Sequence, residues 1–177
     1  MERITVPVTL GIDPSLTGTG LVLLDERGRI IEQMTVHTKK LRGNARLQFI
    51  LAKVEIWLRY LQPGDRVVIE QLAFGGFKTK TISFTQLCGL WTLIHMKIWQ
   101  RYLLLGGRLD FAAVSPTTRA KYLTGNGRAK KPEVMAAVRA VYPSLESADD
   151  NACDAAVLAR MGYESPATMK WYTPKDW

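Results

Sequence analysis

From Val6 to Ile12 the chain is rich in β-branched residues and stops at Asp13-Pro14. A second apolar run, Gly20 to Leu24, follows a Gly/Thr turn, and Arg29 to His37 supplies a third after Arg27-Gly28. These three read as an antiparallel meander. From Asn44 the spacing lengthens: Leu47, Ile50, Leu51, Val54, Leu58 and Leu61 recur at three and four, the stripe of an amphipathic helix that Pro63-Gly64 ends. Arg66 to Ile69 is a short strand running into Glu70, and the strand, helix, strand order sets it parallel to an earlier strand through a right-handed crossover. A long helix is expected from about Ile82 to Leu104, a fifth strand over Leu109 to Val114, and a turn or short helix from Ser115-Pro116 to Leu123. Pro132 suits the first turn of a helix reaching Val141; Tyr142 to Ala148 is a linker, and Asp149 to Met161 a last helix. The pattern predicts an α/β fold, a five-stranded mixed sheet flanked by helices.

The long helix is apolar on more than one side: Phe84, Leu87, Leu90, Trp91, Ile94, Ile98 and Trp99 cover a wide arc. A surface helix needs one stripe, so the excess points to further layers or a second subunit. No internal repeat or low-complexity stretch interrupts the chain. Its 177 residues, 47% of them hydrophobic, suit one domain over residues 1–162 with a Trp- and Pro-containing tail over 163–177. Cys88 and Cys153 lie in apolar or Ala-rich helical pattern, which fits free thiols in a reducing compartment rather than a disulfide framework. The N-terminus lacks the apolar block of a signal peptide, and His95, Lys97, Gln100 and Arg101 interrupt the greasiest region. A soluble, cytoplasmic protein without a membrane partner is expected.

Charge changes the picture more than size does. Lys and Arg number 24 against 16 Asp and Glu, a formal charge of +8, and that surplus favours a polyanionic partner. Against this basic background, Asp13 and Glu70 each close an apolar strand, where side chains emerge at the carboxyl edge of an α/β sheet. Taken singly, either acid could simply cap a turn. Together, on strands expected to be neighbours, they would repel unless a cation lay between them. On the last helix Asp150 and Asp154 are about 40 degrees apart and Asn151 and Asp154 about 60, so the three share one face; Asp149 lies about 140 degrees from Asp154 and suits a charge in the first turn. Leu158 and Met161 continue the Asp154 line, so this face packs inward, and the alanines at 152, 155, 156 and 159 let the helix lie close to the sheet. Oxygen donors without Cys or His pairs fit a hard cation, Mg²⁺ or Mn²⁺, rather than zinc. Two such ions about 4 Å apart can drive phosphodiester hydrolysis. His37, at a strand end, and His95, in the greasy helix, read as structural.

The Gly/Thr turn from Asp13 to Gly20 could instead cradle a nucleotide phosphate, as a similar hairpin does in sugar kinases and actin-like ATPases. Those proteins need two such domains, which 177 residues do not hold, so no nucleotide cofactor is expected.

Gly11-Ile12-Asp13-Pro14-Ser15, Val68-Ile69-Glu70-Gln71 and Asp150-Asn151-Ala152-Cys153-Asp154-Ala155-Ala156 resemble the successive motifs of the RuvC family of Holliday junction resolvases, particularly its phage-encoded branch. The likeness runs from about Val8 to Met161. It implies an RNase H-like fold, a homodimer built partly on the long helix, and Mg²⁺-dependent symmetric nicking of four-way DNA junctions. Asp13, Glu70 and Asp154 match the family's metal-binding acids. For the fourth acid, an ungapped match lands on Asn151, which is neutral; Asp150 is preferred because it shares the Asp154 face, with Asn151 as an auxiliary ligand. Lys131 matches the family's catalytic lysine, and Arg128 and Lys130 beside it suit the DNA backbone. The resemblance also makes Phe74 and Phe77, with Lys78 and Lys80, candidates for entering the junction centre. Arg119 and Lys121 are expected to contact phosphates. Two other classes share parts of this pattern: an RNase H-like nuclease for other branched DNA or hybrids, and a junction-binding protein without catalysis.

Overall fold

The computed structural model describes residues 7–72, 82–164, 167, 169–173 and 175–176. Strands β1 (Thr9–Asp13), β2 (Gly18–Leu24) and β3 (Ile30–His37) lead into helix α1 (Gly43–Tyr60) and strand β4 (Arg66–Glu70). Helix α2 (Ile82–Leu104), strand β5 (Asp110–Val114) and helices α3 (Pro116–Thr124), α4 (Lys131–Val141) and α5 (Asp150–Glu164) complete the chain, with a short 3-10 turn over Pro143–Leu145. The sheet order is β3-β2-β1-β4-β5. The first three strands are antiparallel, and β4 and β5 run parallel to β1, so the expected meander and crossover both form.

Alternation along the strands divides the molecule into two cores. Leu10 and Ile12 of β1 and Val67 and Ile69 of β4 pack with Ile50, Val54 and Trp57 of α1 and Leu90, Ile94 and Ile98 of α2. Val22 and Leu24 of β2 and Val68 of β4 face the other way, onto Ala120, Val134, Val138 and the Ala-rich side of α5. Asp13 is one residue past Ile12 and Glu70 one past Ile69, so both carboxylates leave the sheet on the α5 side. Ile12 lies beside Ile69 in the parallel ladder, which sets the two acids at the ends of adjoining strands.

Small residues bring α5 down onto this face. A Cβ on Gly11 would lie 2.0 Å from the Ala155 carbonyl oxygen, and one on Gly20 would lie 2.0 Å from that of Asn151. No side chain fits between these backbones.

Some boundaries differ from the sequence expectation. Asp13 belongs to β1, because it still pairs with Gly20 across the hairpin. Asp149 stands before α5 as its cap, its Oδ1 accepting from the Ala152 amide at 3.0 Å. Helix α5 also runs through Gly162 to Glu164; Gly162 is packed so tightly that a Cβ would meet Val68 Cγ2 at 2.7 Å. Farther on, the Tyr172 amide donates to the Phe111 carbonyl at 2.7 Å, with Trp171 against one core and Tyr172 against the other. Cys88 and Cys153 are both free thiols. Among the described residues no helix is long and apolar enough to cross a membrane.

Candidate active site

A cleft of about 340 Å³ opens at the carboxyl ends of β1 and β4. Asp13, Glu70, Asn151 and Asp154 line it together with Arg119, Lys131, Ser15, Gln71 and Trp91. The Trp91 indole N–H donates to the Glu70 carbonyl at 3.0 Å, so α2 fixes the last turn of backbone before the cleft.

Asp13 is buried at the cleft floor. Burial, reinforced by the charges of Glu70 and Asp150 and opposed by those of Arg119 and Lys131, raises its carboxyl from 3.8 to about 8. Burial likewise raises Glu70, against the pull of Arg119 and Lys131. Both shifts come chiefly from burial, which outweighs the pull of Arg119 and Lys131.

Those cations are specifically placed. Arg119 Nε donates to Glu70 Oε2 and its NH1 to Asp154 Oδ1, one guanidinium spanning a strand end and a helix. Its side chain is 11% exposed, so in the DNA-free protein Arg119 lies inside the acid cluster, paired to these two carboxylates. Lys131, at the first position of α4 and 73% exposed, donates from Nζ to Asp150 Oδ2 at the rim. Asp150 and Asn151 therefore divide: the acid turns to Lys131, while the amide lines the cleft, packed where a Cβ on Gly18 would come within 2.8 Å of Asn151 Nδ2.

Asp149 stays outside this group, holding the helix end. Burial pushes its carboxyl up, but hydrogen bonds from the Ala152 amide, Thr35 and Asn151 more than offset that and hold it below the ordinary value. His37 Nε2 lies 3.5 Å from it. His95 is half-buried against Trp91 and Phe111, and that desolvation lowers its ring to about 4. Neither histidine lines the cleft.

Lys121, Arg128 and Lys130 are exposed around α3 and the start of α4. Phe74, Phe77, Lys78 and Lys80 lie outside the described residues.

The donor set fits a hard divalent cation, since its oxygens come from carboxylates and an amide with no thiol or imidazole among them. Among the described residues no three acids yet stand as a ready chelating group. Arg119 occupies the space between two of them.

The family model described as "Crossover junction endodeoxyribonuclease RuvC" matches residues 9–161. The fold is similar to a Thermus thermophilus RuvC structure, at 22% identity over 93% of this chain and 99% of that one, with a TM-score of 0.66. A second T. thermophilus RuvC structure, in complex with a Holliday junction substrate, is similar at 22% identity over 94% and 99% of the two chains, with a TM-score of 0.67. No curated protein sequence gives a significant match.

Proposed function

Because the chain belongs to the RuvC family of crossover junction endodeoxyribonucleases, whose nucleases depend on a divalent metal, we propose that its cleft cuts four-way DNA by paired, symmetric nicks. The observation that carries this reading is the convergence of Asp13, Glu70 and Asp154 beside Lys131, with Asp13 buried at the cleft floor.

Asp13, Glu70, Asp150 and Asp154 would hold two Mg²⁺ ions, replaceable by Mn²⁺, with Asn151 as an additional oxygen donor. A divalent ion held there would supply Lewis acidity, lowering the pKa of water and offsetting charge on the phosphate. Asp13 sets the floor, since its strand is pinned on both sides by β2 and β4. Lys131 leaves Asp150 for the phosphate, where its ammonium offsets charge that grows as the bond to the 3′ oxygen breaks. The products carry a 5′-phosphate and a 3′-hydroxyl.

Lys121, Arg128 and Lys130 hold the backbone of the arms, and Phe74, Phe77, Lys78 and Lys80 act at the junction centre. A homodimer supplies two clefts to a two-fold substrate, so shape selects the DNA before any base is read. Cleavage of synthetic four-way, flap and RNA–DNA hybrid substrates in Mg²⁺, with every cut mapped, tests this reading. Symmetric cuts in the four-way substrate at much the highest rate are expected. Equal or faster cutting of flaps or hybrids would replace it with a broader nuclease, and tight binding without cleavage would replace it with a binding protein.

A further inference from the structure

Among the described residues, Arg119 is the cleft cation still without a role in the proposed chemistry. It projects from the first turn of α3, directly after β5. Ser115 caps that turn, its Oγ accepting from the Thr118 amide at 3.1 Å, and the neighbouring Ala120 is buried in the second core. The backbone at 119 is thus fixed, while its side chain reaches into the cleft on a flexible stem.

A guanidinium keeps its charge at every working pH. With one arm on Glu70 and another on Asp154, it offsets two acids that would otherwise repel across a poorly solvated space. The same contacts stand in the way of a metal ligand set: an ion drawing oxygens from both acids cannot share that space with the guanidinium.

We infer that Arg119 is an exchangeable counter-cation, which holds Glu70 and Asp154 together before metal arrives and must leave both for a divalent ion to bind. The inference rests on the proposal that these acids hold metal. It adds a coupling: a DNA phosphate in the cleft gives the displaced guanidinium a new partner, so substrate strengthens metal binding and metal strengthens substrate binding. Free protein then holds metal weakly, and the ion set is completed mainly on DNA.

The test is calorimetric titration of Mn²⁺ into DNA-free wild type and Arg119→Gln, with thermal unfolding in chelator and in saturating Mg²⁺. Arg119→Gln is expected to bind Mn²⁺ about tenfold more tightly, to melt below wild type without metal, and to gain more from Mg²⁺. A second readout needs only the wild-type fold: the Arg119 Nε–H resonance, assigned by its loss in Arg119→Lys, should move toward a free guanidinium when Mg²⁺ saturates the protein. Equal Mn²⁺ affinity in both proteins, or an Arg119 resonance unmoved at saturation, overturns the inference and leaves the metal reading standing. No Mn²⁺ binding to either protein overturns both.

Discussion

Asp13 carries the most distinctive electrostatics of any residue in the cleft. Its carboxyl ordinarily titrates at 3.8 and is raised to about 8 by burial and by Glu70. Below the lower value both folded and unfolded states hold the proton, and above the higher one neither does. Between them the folded protein keeps a proton that the unfolded chain has released, so stability falls as pH rises through that window. Without metal, Asp13→Asn should therefore melt above wild type at pH 8, by roughly 5 °C, with the gap closing toward pH 4. Thermal unfolding in chelator across that range checks this, and a constant gap would contradict it. Lys131 makes the opposite kind of prediction. Its side chain is 73% exposed, so Lys131→Ala should fold normally and bind junctions nearly as well, yet cleave them about 100-fold more slowly in single-turnover assays. A rate within a few-fold of wild type would make Lys131 a backbone contact only.

At the scale of elements, the cleft exists because α5 lies almost in contact with β1 and β2. Gly11→Ala places a methyl against the Ala155 carbonyl, and since neither backbone can yield cheaply, it should cost about 3 kcal/mol by urea denaturation and cut activity with it. A near-neutral Gly11→Ala would mean that α5 can shift without consequence. Much of this arrangement was legible in the chain. Apolar strands closing on Asp13 and Glu70 give a period-2 argument, and the Asn151–Asp154 spacing gives a 100-degree one, both local and both needing no knowledge of packing. Arg119 was not legible in that way. Its reach across to Glu70 and Asp154 depends on where α3 lands against the sheet, and a helical pattern places solvent-facing and cleft-facing arginines alike. The buried Ala120 beside it and the short link from β5 were the available signal. The turning of Asp150 to Lys131 was equally out of reach, because two helix starts far apart in sequence meet there.

On the scale of the whole molecule, α2 serves both an inner core and an outward face. Leu93, Met96, Leu103 and Leu104 are exposed within about 100 degrees of one another around that helix, with Leu104 78% exposed. An apolar arc of this kind is costly in water, and it supports the proposed dimer. Sedimentation should give a dimer at micromolar concentration, and Leu93→Glu with Leu104→Glu should give a folded monomer that loses paired cutting. A monomeric wild type would contradict the two-cleft reading. Net charge completes the proposal, since the chain carries +8 overall and the proposed work of its acid cluster is to hold cations against a polyanion. The most direct test of that claim is Mg²⁺-dependent cleavage of a synthetic four-way junction by wild type and Asp13→Asn, with junction affinity measured in parallel. The expected result is affinity within a few-fold and cleavage lower by about a thousandfold or more. Comparable cleavage by the two proteins would remove the strand-end acid, and with it the metal site, from the mechanism.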